Sequence, residues 1–94
     1  MDHEKQLSLR QARKLILDII ENGEVTYSRP HALGRMRERG ITMVDCINIF
    51  RAGRMSEPVF ENGSWRYRIE TNAMAAVVTF LSENELLVIT VIRL

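Results

Sequence analysis

Residues 30–41, PHALGRMRERGI, are the stretch around which the rest of the chain can be organised. They predict a short helix, because Pro30 has no N–H to donate and is tolerated in a first helical turn. Ser28 is a candidate N-cap whose hydroxyl can accept a free backbone N–H. Gly40 suits the left-handed conformation that commonly ends a helix. We therefore expect a helix of about two turns that begins near Pro30 and stops at Gly40.

The side chains of this predicted helix divide into an apolar side and a polar side. At about 100° per residue, three apolar residues face a core: Ala32, Leu33 and Met36. The polar side combines an imidazole, a guanidinium and a carboxylate at spacing i, i+4, i+7, namely His31, Arg35 and Glu38, with Arg39 one turn beyond Arg35. This set can exchange protons and bind anions. Alternatively, Arg35 and Glu38 form a solvated i,i+3 ion pair, which contributes only a few tenths of a kcal/mol.

The length and composition favour one small domain over residues 1–94. No apolar run approaches the roughly 20 residues needed to span a bilayer, and the first residues lack the pattern of a secretory signal. The lone Cys46 lies in an apolar helical pattern, so we expect a buried, reduced thiol. These features are typical of a cytoplasmic protein without a membrane segment.

The positive charge is concentrated in the middle of the chain and is carried there by arginine alone. Residues 26–68 contain eight arginines and four carboxylates, although the net charge of the whole chain is only +1. Arginine presents a planar fork of donors that matches phosphate in two-point contact. This predicts a local polyanion site and not a long nucleic-acid track. No Cys/His cluster has metal-ligand spacing, so we expect neither a metal site nor a cofactor.

Hydrophobic periodicity places the other elements. A first amphipathic helix over 8–22 begins at Ser8, and a third over 43–52 begins at a capping box of Thr42 and Asp45. The apolar stripe predicted for that third helix comprises Met43, Val44, Ile47 and Phe50. Four strands follow, over 55–60, 64–70, 74–81 and 86–92, and a weak edge strand is expected at 24–27. The prediction is an α+β fold with helices packed on one face of a four-stranded antiparallel sheet, in the order α-(β)-α-α-β-β-β-β.

Two strands carry unusual polar residues. The strand 64–70 follows the Asn62-Gly63 turn signal, and its apolar and polar residues alternate strictly. Arg66 and Arg68 are therefore expected on the face of the sheet that the helices leave open and concave. Thr90 interrupts an otherwise apolar final strand, although threonine is also an ordinary strand former. If that final strand lies at an edge, a second copy or a partner could pair along it.

These side chains together supply the parts of metal-independent RNA cleavage. His31 is the acid or base, and Glu38 can orient it or act as the base. Arg35, Arg39, Arg66 and Arg68 can stabilise phosphate charge. The alternative is a non-catalytic interaction module that uses the same arginine-rich face to hold an acidic protein.

Several motifs resemble the bacterial family called domain of unknown function 4258, over roughly residues 26–92. They are His31-Ala32-x-x-Arg35-Met36-x-Glu38-Arg39-Gly40-Ile41, Tyr67-Arg68 and Val88-Ile89-Thr90-Val91. That family is similar to the RelE-like ribonuclease toxins. In one departure, RelE-type toxins carry several lysines around the site, whereas this chain has only Lys5 and Lys14.

The resemblance implies a RelE-like fold and a type II toxin that cleaves free or ribosome-bound RNA. It also implies a cognate antitoxin of zinc-finger or helix-turn-helix type. Carried over by position, the motif matches are His31, Arg35, Glu38 and Arg39, with Tyr67, Arg68 and Thr90. Together with the strand alternation that places Arg66, we expect catalysis from His31, Arg35, Glu38 and Arg68, and RNA or phosphate binding from Arg39, Arg66, Tyr67 and Thr90.

Overall fold

The computed structural model describes residues 5–94, and three helices precede most of its sheet along the chain. The helices are α1 (Leu9–Asn22), α2 (His31–Arg39) and α3 (Met43–Ala52). The strands are β1 (Glu24–Tyr27), β2 (Arg54–Met55), β3 (Val59–Glu61), β4 (Ser64–Glu70), β5 (Met74–Ser82) and β6 (Glu85–Arg93). Within residues 5–94, none of the helices combines the length and apolar composition that a membrane crossing needs.

The strands form one mixed sheet of six strands, in the order β1-β6-β5-β4-β2, with β3 also paired to β4. The α+β class is confirmed, but the four-stranded antiparallel sheet is wrong in two respects. First, β1 joins the sheet as an edge strand that runs parallel to β6. Second, the strand predicted over 55–60 is divided into β2 and β3. Pro58 has no N–H to donate to the hydrogen bonds between the strands. In addition, the segment from Met55 to Val59 is one residue longer than the segment of β4 with which its ends pair, Arg66 to Ile69, so the pairing is interrupted.

The predicted starts of α1 and α3, the end of α2 and the hairpin turn are confirmed by local hydrogen bonds and dihedral angles. Ser8 and Thr42 both form capping boxes, at the starts of α1 and α3. Gly40 ends α2 with φ of 65°. Asn62 and Gly63, with φ of 50° and 81°, form the two-residue turn between β3 and β4. These features depend on a few adjacent residues, which is why the sequence predicts them well.

A single hydrophobic core lies between the helices and one face of the sheet. The helices contribute Ala12, Ile16, Ile19, Ala32, Met36, Cys46, Ile49 and Phe50. The sheet contributes Tyr67, Ile69, Ala76, Val78, Phe80, Leu86, Val88 and Val91. The stripe predicted for α3 was partly wrong, because Met43 and Val44 are exposed and Cys46 and Ile49 are buried instead. The buried residues of α3 follow the spacing i, i+3, i+4 from Cys46, so the buried stripe is rotated around the helix relative to the prediction.

An irregularity in β6 decides which face Thr90 occupies. Val78 is paired with Val88, whereas the neighbouring Val77 is paired with Thr90, so Ile89 is an extra residue in β6. This bulge lets Val88 and Val91, three residues apart, both point into the core. It also turns Thr90 to the opposite, uncovered face, in one cross-strand row with Val77 and Arg68.

The final strand, β6, is not an edge strand, so the condition for pairing with a second copy or a partner along it is not met. β6 lies between β5 and β1, and β1 is paired with residues Glu85 to Val88. Beyond β1, the chain turns into α2, which packs chiefly on β6. A second copy or a partner strand therefore cannot pair along this side of β6 without displacing β1 or α2.

A buried thiol and a half-buried phenol, those of Cys46 and Tyr27, predict a loss of stability at alkaline pH. Burial, reinforced by the nearby Asp45 charge, raises the pKa of Cys46 from 9.0 to about 11, although a hydrogen bond with Tyr27 opposes this. Burial and the same thiol raise the pKa of Tyr27 from 10.0 to about 12. The folded state therefore holds protons that the unfolded chain releases from about pH 9 upward. The stabilisation is complete below that pH and is lost as the pH rises through 11 and 12.

We expect the free energy of unfolding to fall by about 1–3 kcal/mol between pH 8.5 and 11. The measurement is urea unfolding across this range, with the wild type beside Cys46→Val and Tyr27→Phe. Each substitution removes one titrating group, so the alkaline slope should be shallower in each variant. Equal slopes in the three proteins would show that these two groups do not limit stability.

Candidate active site on helix α2

The polar side of α2 forms a shallow groove that is open to solvent. His31, Arg35 and Glu38 line it together with Pro30 and Gly34, and its volume is about 380 Å³. We call it the His31 groove. The structure thus brings together the three side chains that the helical spacing places on one side.

The three functional side chains of the His31 groove have no partner within the part of the chain that is described. All three residues are exposed, and none of their side chains makes a hydrogen bond or an ion pair with residues 5–94. The alternative i,i+3 ion pair between Arg35 and Glu38 is therefore not formed. An imidazole, a carboxylate and a guanidinium are all available to a ligand, which is the combination that acid–base chemistry on a phosphate needs.

The helix that carries this groove is held to β6 near both of its ends. The Ser28 hydroxyl accepts the Ala32 N–H at 3.2 Å and donates to the Ile89 carbonyl at 2.7 Å. At the other end, Nη2 of Arg93 donates to the Arg39 carbonyl at 2.9 Å. The Ser28 hydroxyl therefore accepts a free N–H of the first turn as predicted, but the predicted N-cap position is wrong, because α2 begins at His31 and Pro30 is its N-cap. Arg93 was not singled out from the sequence, because its partner is 54 residues away.

Arg66 and Arg68 lie on the uncovered face of the sheet, as the alternation in β4 predicts, but in a different cavity. That cavity has a volume of about 270 Å³ and is lined by Ser56, Glu57, Val59, Glu61, Arg66, Arg68 and Val77. Nη1 of Arg66 is 3.9 Å from a Glu61 carboxylate oxygen, and Nη2 of Arg68 is 3.6 Å from one of Glu70. The side chains of Arg66 and Arg68 are only 21% and 39% exposed. This sheet cavity shares no lining residue with the His31 groove, so the predicted site is divided between two surfaces.

Tyr67 belongs to the core and not to a binding surface. The residue is 1% exposed, and its ring packs edge-on against Phe80 with centroids 5.4 Å apart. Its hydroxyl oxygen accepts the Leu7 N–H at 2.8 Å. Burial raises the pKa of Tyr67, and this hydrogen bond opposes the rise. The RNA-binding role that the resemblance assigns to Tyr67 is thus corrected by its burial under the helices.

The two remaining residues of the predicted site are more accessible. The exposed Arg39 is the last residue of α2, and its side chain is unpaired within residues 5–94, but it lines neither cavity described so far. Thr90 is half-buried in the row that contains Arg68. Both can contact an extended ligand only outside the His31 groove.

Comparison with known proteins adds no assignment to this geometry. The chain matches no protein-family model, no curated protein and no solved structure. Among the described residues, no three His, Cys, Asp or Glu side chains form a group that could hold a metal ion. The functional proposal therefore rests on the chemistry of the His31 groove.

Proposed function

We propose that this protein is a metal-independent endoribonuclease of the RelE-like toxin type, with its active site in the His31 groove. The observation that carries the proposal is the convergence of His31, Arg35 and Glu38 in one open groove, each with a side chain free to react. A purely structural ion pair would have occupied Arg35 and Glu38, and it is not formed. The resemblance of residues 31–41 to a ribonuclease-toxin family supports the same chemistry.

In the proposed reaction, the groove transfers two protons across one phosphodiester. The Glu38 carboxylate accepts the proton of the ribose 2′-OH, and the 2′-oxygen forms a bond to phosphorus. The bond from phosphorus to the 5′-oxygen breaks, and the protonated His31 imidazole donates a proton to that leaving oxygen. Arg35, between them in the helical spacing, stabilises the additional negative charge on the phosphoryl oxygens. The products are a 2′,3′-cyclic phosphate and a free 5′-hydroxyl.

The arginines outside the groove take a supporting role in this proposal. Arg68 lines a separate cavity, so we assign it to RNA binding and not to the reacting phosphate. Arg66 and Thr90 extend the same surface, and the exposed Arg39 continues from the end of α2. A cognate antitoxin would inhibit such an enzyme by covering the His31 groove, and ribosome-bound mRNA would be one source of substrate.

One observation favours the non-catalytic alternative. The exposed Val59 lines the sheet cavity beside Arg66, and the exposed Phe60, next in the same strand, packs its ring on Trp65 on the other face. Arginine and aromatic side chains are enriched at protein interfaces. This surface would suit an acidic protein partner, and His31 would then have no chemical role.

The test is cleavage of a labelled single-stranded RNA by the purified protein in the presence of EDTA. A control strand of the same sequence carries 2′-O-methyl groups, which remove the attacking hydroxyl. We expect cleavage of the RNA alone, with cyclic phosphate and 5′-hydroxyl ends. Intact RNA after incubation with the folded protein would contradict the proposal and favour the interaction module.

A further inference from the structure

A second groove lies on the other side of α2, and the mechanism above does not use it. It is lined by Arg29, Pro30, Leu33, Gly34 and Arg37, and its volume is about 290 Å³. We call it the Arg29 groove. It shares Pro30 and Gly34 with the His31 groove, so the two grooves meet at these residues, and we call Gly34, which lies within the helix, the ridge between them. Leu33 and Arg37 are one helical turn apart in α2, whereas Arg29 precedes the helix, so helical spacing alone does not indicate this groove.

The charge of the Arg29 groove selects an anion. Arg29 and Arg37 are exposed and make no ion pair with any residue between 5 and 94, and no carboxylate lines the groove. The sheet cavity differs in this respect, because Glu57 and Glu61 line it and both of its arginines face a carboxylate. Two uncompensated guanidiniums therefore make the Arg29 groove the stronger phosphate-binding candidate of the two.

The floor of the Arg29 groove favours a nucleotide over a simple anion. Pro30 and the half-buried Leu33 present an apolar surface next to the two guanidiniums. A nucleobase can lie flat against such a surface or stack on a guanidinium plane, while its phosphate binds the arginines. The volume is near the lower end of the range for small-molecule sites, about 300 Å³, so the groove suits a single nucleotide.

Gly34 keeps the ridge between the two grooves low. A Cβ atom at this position would meet no atom within 4 Å beyond the adjacent residues and the backbone of its own helix, so packing does not require glycine here. Glycine within a helix is nevertheless less stable than alanine. A side chain at position 34 would stand between the two grooves, whereas glycine leaves a path across the helix.

We infer that the Arg29 groove is a nucleotide-binding subsite that holds the RNA nucleotide adjacent to the reacting phosphate, with the RNA backbone crossing α2 at Gly34. This inference rests on the proposed ribonuclease function, because it assigns the neighbouring groove to the same substrate. Arg29 and Arg37 are RNA-binding residues in this arrangement, and Gly34 provides access.

The test is fluorescence anisotropy with a labelled 2′-O-methyl oligonucleotide, which binds without being cleaved by the proposed mechanism. We expect Arg29→Ala/Arg37→Ala to weaken binding at least tenfold and to reduce the salt dependence, since counterion release falls with each lost phosphate contact. Arg10→Ala/Arg54→Ala is the matched control, because it removes the same charge from two exposed arginines that line none of the three cavities. It should bind within about twofold of the wild type.

A second variant, Gly34→Gln, separates a binding effect from a folding effect. Glutamine is a better helix former than glycine, so the melting temperature should rise by a few degrees while oligonucleotide affinity falls. Unchanged affinity in both Gly34→Gln and Arg29→Ala/Arg37→Ala would overturn the inference.

The same assays distinguish the two proposals. Binding that depends on Arg29 and Arg37, without RNA cleavage by the wild type, supports the subsite and rejects the nuclease. Cleavage by the wild type, with binding equally strong in Arg29→Ala/Arg37→Ala and in the control, supports the nuclease and rejects the subsite. If the wild type fails to bind the oligonucleotide at all, the subsite is rejected.

Discussion

Replacing His31 with alanine is expected to reduce RNA cleavage by about 10²- to 10⁴-fold, the usual contribution of a positioned acid or base. His31 is exposed, and its ring makes no hydrogen bond with residues 5–94, so the melting temperature should change little. Loss of activity without loss of stability is the signature of a chemical role. The measurement is the initial rate of cleavage by purified wild type and His31→Ala, with thermal unfolding of both.

The same variant can be tested in a bacterial host by following growth and total RNA after induction. We expect growth arrest and RNA cleavage with the wild type only. Arg10→Ala is a useful control, since it alters an exposed residue far from α2 in sequence and should behave as the wild type does. Equal cleavage by His31→Ala would place the chemistry elsewhere. Soluble wild-type protein without arrest or RNA damage would favour the interaction module.

Replacing Tyr67 with alanine is expected to lower the free energy of unfolding by about 3–5 kcal/mol, as for other large aromatic side chains in cores. The ring is fully buried, contacts Phe80, and is packed among residues from both the helices and the sheet. Truncation therefore removes buried apolar area and leaves a cavity. For a domain of this size, the loss is a large part of the total stability. The measurement is denaturant unfolding at neutral pH.

Tyr67→Phe is the matched control, because it keeps the ring and removes only the hydroxyl that accepts the Leu7 N–H. We expect it to cost about 0.5–1.5 kcal/mol, the net contribution of a typical hydrogen bond. This pair also distinguishes the core position from the RNA-binding role that the resemblance assigns. Normal stability with weakened RNA binding in Tyr67→Ala would mean that the ring faces RNA.

Local features of this fold could be predicted because their determinants are close in sequence. The capping boxes at Ser8 and Thr42, the Gly40 helix end and the Asn62-Gly63 turn each involve no more than four consecutive residues. The strand Glu24–Tyr27 was recognised for the same reason, from its β-prone residues. The parallel pairing of this strand with β6 was not predicted, since β6 is about 60 residues further along the chain.

The residues of the candidate site also divide into those that local sequence places and those that packing between distant segments places. His31, Arg35 and Glu38 are on one helix, so their common groove follows from helical spacing. Arg68 comes from β4, and its distance from that groove depends on which strand α2 packs against. Because α2 packs on β6 at the covered face, and the arginines of β4 lie two strands away on the opposite face, these arginines line a separate cavity.

The sequence by itself determined the helices, their ends, the hairpin turn and the clustering of one acid–base set on α2, because neighbouring residues decide backbone dihedral angles and helical periodicity. Only the tertiary structure decided the parallel addition of β1 and the face of Thr90. It also decided that the arginines of β4 line a cavity that shares no residue with the two grooves on α2. These features depend on strand order and on a bulge at Ile89. Packing between distant segments determines them, and no local pattern encodes it.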